Sequence, residues 1–315
     1  MERAKAGRVA ARREEARRVK RVAERMAEGV LAREHRTLWG DAMRRFARNR
    51  LALASLVVAL GLICMALFAD IISPSRYDQI DLAAVHQSPS LHHLLGTDLI
   101  GRDYLTRIVY GARTSMAVAL LVQGIAFGVG IPLGAMAGLR AGRADFLIMR
   151  LVDVATALPG MLFAIFVMAV LGTGFSNVVL ALSVTSWVLV CRLVRGQFLS
   201  IREKDFITAA RCIGASGARI IFRHMLPNAL APLVVALALG IPGAMFGEAA
   251  LSYLGMGIND PIPSWGKMVS ASLGYVRIYP YLALFPTLMI AAAMLSFTFV
   301  GDGLRDALDP QMVIE

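Results

Sequence analysis

The segment from Asp205 to Val235 reads DFITAARCIGASGARIIFRHMLPNALAPLVV, and it decides how the whole chain is interpreted. It is polar, basic and rich in Ala, Gly and Ser, yet strongly apolar runs lie on both sides of it. A basic connection between two membrane-spanning segments is typical of the cytoplasmic side of a bilayer. We therefore predict a cytoplasmic loop that docks into another protein.

The composition is that of an integral membrane protein. The chain has 315 residues, of which 57% are hydrophobic and 17% are charged, and its mean hydropathy is +0.62. This balance excludes an ordinary soluble domain and favours one membrane domain. Cys64, Cys191 and Cys212 have neither the number nor the spacing of a disulfide framework or a zinc site. The first fifty residues are hydrophilic, so we expect the first apolar run to remain as an anchor.

Six apolar segments are long enough to cross a bilayer, which needs about 20 apolar residues per helix. We expect their Pro and Gly residues to serve packing, with a moving gate as the alternative. The six predicted spans are Leu51 to Ala69, Thr114 to Leu139, Leu147 to Leu171, Val178 to Cys191, Leu230 to Phe246 and Tyr281 to Val300. The Pro and Gly residues concerned are Pro132, Pro159, Gly160, Pro242 and Gly243.

The positive charges give an orientation. Residues 1–50 hold 16 Lys and Arg against 7 Asp and Glu, and the second and fourth connections carry net charges of +2 and +5. The first, third and fifth connections carry −1, 0 and 0. Because Lys and Arg stay on the cytoplasmic side, both termini are predicted to be cytoplasmic. The predicted domains are a basic tail and elbow (1–50), a six-helix membrane domain (51–310) and a C-terminal tail (311–315).

The N-terminal tail has two helical patterns. Residues 8–34 are rich in Ala, Arg and Glu with one narrow apolar stripe, which fits either a solvated helix or a helix on anionic lipid or a partner. A stronger stripe that contains Trp39 and Phe46 directly precedes the first span. It predicts a basic amphipathic elbow helix at the membrane surface, with Trp39 at the level of the lipid headgroups.

The sequence lacks the residues that are characteristic of several functional classes. Asp153, Arg192, Glu248 and Asp302 fall near the ends of predicted spans, so the span cores lack the relay that ion-coupled transporters usually need. No ATP-binding loop and no catalytic or metal motif of the common types occurs. His86, His92 and His93 are interpreted as ordinary loop histidines, with metal ligation as the weaker alternative. We expect no catalysis, metal or cofactor in this chain, and no nucleic acid partner.

The opening segment resembles the cytoplasmic loop of ABC importer permeases. That loop has the pattern E-A-A, three residues, G, nine residues, I-x-L-P, and this chain places Ala209, Ala210, Gly214 and Pro227 at the same intervals. Thr208 replaces the Glu of the pattern and His224 replaces its Ile, which weakens any claim of a salt bridge from the Glu position but not the expectation of docking. Four further stretches narrow the resemblance to the C-type permease of dipeptide, oligopeptide and nickel importers. They are HLLGTDLIGRDYLTRIVYGAR from His93, IMRLVDVATALP, LGMGINDPIPSWGKM and GDGLRDALDP, ending at Pro310.

The resemblance implies a type I ABC importer permease fold, all-α with six transmembrane helices, in a bacterial or archaeal inner membrane. It implies a second permease, two ATPases that use ATP and Mg, and an extracytoplasmic substrate-binding protein. Peptide, nickel chelate and short oligosaccharide all stay open as substrates. The alternatives are a secondary transporter or channel subunit that works without an ATPase, and a membrane scaffold.

The loop at about 196–228 is the predicted coupling site. We expect Asp205 to cap a short helix with a small-sided face, Gly214 and Gly217 to end it, and Pro227 and Pro232 to start the next helix. ATP-driven closure of the ATPases would then move this helix as a lever. The predicted coupling residues are Thr208, Ala209, Ala210, Arg211, Gly214, Ser216, Gly217, Arg219, His224 and Pro227.

The outer connections contain further candidate residues. Asp98, Arg102, Asp103 and Arg107 lie close together in the sequence and predict local ion pairs or contacts with a binding protein. Trp265 lies in a stiff turn that is interpreted as a fold element or a contact. Glu248, at the outer end of the fifth span, is expected to be solvated or hydrogen-bonded, or to line the exit. The candidate binding-protein or gate contacts are Asp98, Arg102, Asp103, Glu248 and Trp265.

Overall fold

A computed structural model describes residues 38–140 and 142–309, apart from the side chains of residues 38 and 39. The predicted helix over 8–34 and the tail 311–315 lie outside these residues. The described part of the chain forms α-helices, short 3-10 and π turns, and one isolated β-bridge between Thr97 and Asp103. The α-helices are α1 (Leu38–Arg48), α2 (Arg50–Leu67), α3 (Ala69–Ile72), α4 (Tyr104–Arg140), α5 (Arg143–Ala157), α6 (Gly160–Leu171), α7 (Phe175–Arg202), α8 (Asp205–Cys212), α9 (Gly217–Ile220), α10 (Leu226–Tyr253), α11 (Trp265–Ser272) and α12 (Tyr281–Leu308).

Five stretches are each long and apolar enough to cross a membrane, and the pair α5 and α6 makes six if it counts as one span. The five are α2, α4, α7, the continuous run Gly217–Tyr253, and α12. Several run past their predicted limits: α4 begins at Tyr104, ten residues before Thr114, and α7 continues to Arg202. At 37 residues α4 is about 55 Å long, well beyond the ~30 Å hydrocarbon core, so it extends out of the bilayer.

The third predicted span is broken, which corrects the expectation of one helix over Leu147 to Leu171. Helices α5 and α6 meet at an angle of 79°. The cause is local: Pro159 disfavours a helical conformation in the residue before it, and Leu158 is extended at φ −101° and ψ 140°. Pro159 then precedes the first residue of α6, where its missing N–H costs nothing. Pro159 therefore produces a bend between two helices and does not serve the packing role that we predicted for it.

Helices α4 and α7 pack through their backbones. Gly130, Gly134 and Gly138 recur every four residues and so share one face of α4. A methyl group built on Gly134 would lie 2.5 Å from the Cys191 carbonyl oxygen, and one on Gly138 would lie 2.5 Å from the Phe198 Cβ atom. Small residues at this spacing let two helices approach closely in a membrane. This face fixes the position of α4 against α7.

The other prolines stay inside continuous helices. Pro132 lies within α4 and Pro242 within α10. Near Pro242, the buried Gln123 side chain of α4 donates a hydrogen bond from Nε2 to the Gly240 carbonyl at 2.9 Å. Gly243 has open space around its Cα atom, so it does not serve the packing role that the sequence suggested.

Candidate functional site: the coupling segment and the outer charged cluster

The coupling segment, residues 205–227, begins with α8. Asp205 is the first residue of α8; the capping position belongs to Lys204, which makes no side-chain capping bond, so the prediction that Asp205 caps the helix is wrong. Its carboxylate still stabilises the first turn through the helix dipole. The helix ends at Cys212, and Gly214 stops it as predicted, since its φ of +80° is left-handed and suits glycine. The Ala215 N–H closes the turn on the Ala210 carbonyl at 3.0 Å.

Helix α8 has one buried and one exposed face. Ile207 and Ala210, three residues apart, are 0% and 5% exposed and pack into the chain's own bundle. This corrects the placement of Ala210 on the docking surface. The opposite face is open, and Ile213 just beyond it is 86% exposed. The exposed residues of α8 and its C-terminal turn are Asp205, Phe206, Thr208, Ala209, Arg211, Cys212, Ile213 and Gly214.

The chain re-enters the bundle earlier than predicted. The Ser216 hydroxyl accepts a hydrogen bond from the Arg219 N–H at 3.3 Å, so Gly217 begins a helix instead of ending one. The helix passes through a π turn, Ile221–Met225, before α10. Pro227 is therefore the second residue of α10 and Pro232 lies inside it. Pro227 thus lies in the first turn of α10, as predicted, whereas Pro232 does not start a helix.

The end of the turn is held by side chains. Ile220 and Met225 are 3% and 0% exposed and join the same apolar cluster as Ile207 and Phe198. The Asn228 Nδ2 atom donates to the His224 carbonyl at 2.6 Å, which satisfies an acceptor inside the last π turn. The coupling segment is thus anchored at two places. Ile207 and Ala210 are buried in α8, and Ile220 and Met225 are buried at the π turn.

At the opposite end of the bundle, the predicted ion pairs form around Asp98. Its Oδ2 atom lies 2.6 Å from the Arg102 Nε atom and 3.5 Å from the Arg107 Nε atom. Arg107 lies within the first turn of α4, not in the loop before it. Asp103 has a different partner: its Oδ1 atom accepts from the Thr106 N–H at 2.8 Å, as a helix cap does, while Oδ2 lies 2.9 Å from His93 Nδ1.

The cluster continues through a residue that the sequence analysis missed, Asp260. It lies 3.5 Å from the Arg102 Nη1 atom and 3.0 Å from the Lys267 Nζ atom. Partial burial alone would raise the pKa of Asp260, but the hydrogen bond and charge of Lys267, with the charges of Arg102 and Arg107, outweigh burial and lower it. Asp260 is therefore ionised at neutral pH. The Asn-Asp-Pro turn in the sequence marks its loop but not its partners.

Glu248 of α10 is completely enclosed, at 1% exposure, and does not reach water. Its Oε1 atom accepts from Ser252 at 2.8 Å and from Ser264 at 2.7 Å, and its Oε2 atom accepts from Ser115 at 3.3 Å. The Ser115 and Ser264 oxygens accept backbone N–H groups of α11, from Trp265 and from Lys267, so each has its own hydrogen free for Glu248. Of the alternatives, hydrogen bonding is therefore right and solvation is wrong.

Trp265 completes this connection between helices. It is 0% exposed, and its Nε1 atom donates to the Ile108 carbonyl at 2.9 Å. A methyl group on Gly111 would lie 2.8 Å from its ring, which shows how closely α4 and α11 approach. Glu248, Ser115 and Trp265 thus join α4, α10 and α11 at one point.

Four of the five residues predicted to contact a binding protein or form a gate are buried. Asp98, Asp103, Glu248 and Trp265 are 6%, 8%, 1% and 0% exposed, so in this conformation their side chains contact their own chain and not a second protein. Among the described residues, no group of three His, Cys, Asp or Glu side chains could hold a metal. His86 stacks on Tyr279 at 4.3 Å between ring centroids.

The chain is similar to membrane components of importers. Residues 130–314 match the family model described as "Binding-protein-dependent transport system inner membrane component", and residues 37–89 match "N-terminal TM domain of oligopeptide transport permease C". The inward-facing MetNI methionine ABC transporter superposes with a TM-score of 0.55 at 20% identity, over 65% of this chain and 97% of that one. The fold is thus that of a type I ABC importer permease, and this chain belongs to the family of inner membrane components of binding-protein-dependent transport systems.

Comparison with individual relatives assigns the chain to a subgroup of this family. It is 38% identical over 282 residues to the oligopeptide permease protein OppC of Bacillus subtilis, over 90% of this chain and 92% of that one. It is 41% identical to the dipeptide permease protein DppC of Alkalihalophilus pseudofirmus, over 87% and 90% of the two chains. It is also 41% identical to the glutathione permease protein GsiD of Escherichia coli, over 88% and 92%. Within its family, the chain is a C-type permease, and the alternative of a transporter without an ATPase does not hold.

Proposed function

We propose that this chain forms half of the translocation pathway of an ABC importer for peptides and that α8 couples it to an ATPase. The observation that carries the coupling role is that α8 has an exposed face around Ala209, while Ile207 and Ala210 on its other face are buried. Ala209 presents no side chain beyond a methyl group, so a cleft in a partner could approach the α8 backbone closely. Arg211 adds a charge that would orient the partner.

The anchoring explains how movement would be transmitted. Ile207 holds α8 in one apolar cluster with Phe198 of α7, and Ile220 and Met225 hold the next turn in the same cluster. Close-packed interiors transmit displacement rather than absorb it. A partner that pulls α8 would therefore move the ends of α7 and α10 together, which is the change that a permease needs to switch the side on which its pathway opens.

The partners follow from the same role. The chain would pair with a second, homologous permease and two ATPase subunits, and receive substrate from an extracytoplasmic binding protein. The ATPases would use ATP and Mg, while this chain binds no cofactor and catalyses no reaction. The coupling segment and both termini would face the cytoplasm, since the basic tail and the two most basic connections share that side. Peptide is the proposed substrate because the named relatives serve oligopeptide, dipeptide and glutathione transport.

The test is an Ala209→Trp variant in the complex purified with its ATPases. A bulky ring on the exposed face of α8 should keep the ATPase out, so ATPase recovery and peptide uptake should fall while insertion and thermal stability stay normal. Ala83→Trp is the matched control, because Ala83 is also exposed but lies at the opposite end of the bundle. Normal ATPase recovery and uptake with Ala209→Trp would refute docking through this face. Ala210→Trp is unsuitable, since it would disrupt the buried face.

A further inference from the structure

A cavity of about 590 Å³ lies at the end of the bundle opposite the coupling segment. Its walls come from the start of α4, from α11, from the start of α12 and from the loops between them. Half of the lining is apolar, with Leu99, Ile100, Met268 and Leu282 among the residues. Its size is in the range of small-molecule sites, which are mostly apolar with a few fixed polar groups.

The charged residues of this cavity form an alternating chain. In order they are Arg107, Asp98, Arg102, Asp260 and Lys267, at successive distances of 3.5, 2.6, 3.5 and 3.0 Å. All five line the cavity. Each carboxylate is shared between two cations, so the chain of charges begins and ends with a cation. Among the described residues, Arg107 and Lys267, at the two ends, each lie within 4.0 Å of only one carboxylate, although the charge of Asp260 also reaches Arg107.

Arg107 has donor capacity left over. Its side chain is 4% exposed, and its Nη1 atom donates to the Tyr77 and Pro261 carbonyls at 3.1 and 3.4 Å. No acceptor within the described part of the chain bonds its Nη2 atom. A buried guanidinium that lines a cavity with unused N–H groups favours an acceptor inside that cavity. The remaining lining carboxylate, Asp78, is already paired with Arg76 at 3.0 Å.

We propose that this cavity binds a carboxylate carried on a short apolar body, and that the ligand is the C-terminal carboxylate of a peptide. Arg107 and Lys267 line the same cavity, and a carboxylate that reached both would close the alternating chain into a ring. A planar carboxylate also suits the fork of a guanidinium. The apolar wall would contact the peptide side chains, with little selection among them. The identity of the ligand rests on the proposed function; the preference for a carboxylate does not.

The test compares one dipeptide in two forms on the purified full chain in lipid nanodiscs, by titration calorimetry. The probes are Leu-Leu with a free C-terminus and Leu-Leu with a C-terminal amide. The free acid should bind at least about tenfold more tightly, as expected for one charge-assisted interaction. Lys267→Gln should abolish this ratio and Lys267→Arg should keep it. Arg113→Gln is the control of equal charge change, because Arg113 pairs with Asp70 at 2.8 Å outside the cavity.

Equal affinity for acid and amide would overturn the proposal, as would a Lys267→Gln variant that folds normally and keeps the tenfold ratio. A third result would also overturn it: if Lys267→Gln reduces capture of the binding protein while peptide affinities are unchanged, the carboxylate belongs to that protein. The proposed function has its own test: it would be wrong if the unmodified chain recovered no ATPase or if its complex took up no peptide. Discrimination by the chain alone, without ATPase recovery, would leave the cavity site standing.

Discussion

The packing of α4 on α7 gives a prediction whose size follows from the interatomic distances. In Gly134→Ala the new methyl group would lie 2.5 Å from the Cys191 carbonyl oxygen and 2.8 Å from the Val194 Cβ atom. Ordinary contact begins at 3.4 Å, so the helices must separate locally by roughly 1 Å. The nearest atom belongs to the backbone of a helix and cannot rotate away. Overpacking of this kind costs about 1–3 kcal/mol.

The same helix offers a matched control. Gly124 also lies in α4, but a methyl group added there would have no neighbouring atom within 4 Å. Gly124→Ala should stabilise the chain by up to about 1 kcal/mol, because alanine is the better helix former. Gly134→Ala has the same intrinsic gain, so its net loss should be about 0–2 kcal/mol, and it should be less stable than Gly124→Ala by about 1–3 kcal/mol.

The assay is reversible unfolding of the isolated chain in mixed micelles, followed by far-ultraviolet circular dichroism, with both alanine variants measured beside the unmodified chain. Using the difference between two variants of one helix removes the effect of alanine itself. If Gly134→Ala proves as stable as Gly124→Ala, the two backbones do not approach as closely as the structure shows, and the argument for close packing through glycine fails.

Two further predictions concern the carboxylates of Glu248, which is buried, and of Asp260, which is 66% exposed. Glu248→Ala should lower the free energy of unfolding by about 1–3 kcal/mol, because the Ser115 and Ser264 hydroxyl groups lose their acceptor; Glu203→Ala, at an exposed position, is the control in the same melt. Asp260→Asn should flatten the acid limb of the stability profile. The pKa of Asp260 is lowered in the folded chain, so its ionised form stabilises the fold above the ordinary aspartate value, and this contribution disappears as the pH falls through the lowered pKa. Parallel acid limbs in the two proteins, measured by thermal melts at a series of pH values, would contradict this assignment.

The number of spans could be predicted from apolar length, since a bilayer imposes that length on any helix that crosses it. The break at Pro159 could not be predicted in the same way, because Pro132 and Pro242 stay within continuous helices. All three prolines lack an N–H donor, and the residue type alone does not tell whether a proline lies within a helix, as Pro132 and Pro242 do, or between two helices, as Pro159 does. Helix limits were underestimated where polar residues continue a helix beyond the apolar run, as at Tyr104 and Arg202.

In the candidate sites, features that depend on neighbours in the sequence could be predicted, and features that depend on contacts with other helices could not. The Ala-Ala and Gly spacing of the coupling segment predicted a short helix and its glycine end, which depend on neighbours in sequence. Which face of α8 is buried depends on Phe198 in another helix, so Ala210 was misplaced. Asp98 and Arg102 are four residues apart and their pairing was predictable. The link from Arg102 to Asp260, 158 residues further along the chain, required the fold.

The π turn at Ile221–Met225 has a consequence for insertions and deletions. It contains one residue more than an α-helical turn would, and each residue of an α-helix rotates the chain by about 100°. Removal of one residue from this turn would restore regular helix and rotate every side chain of α10 by about that angle relative to α8. Gln123 would then no longer face the Gly240 carbonyl, and Glu248 would move away from Ser115 and Ser264. A single residue in this turn therefore sets the angular phase between the coupling segment and the far end of α10, about 40 Å away along the helix.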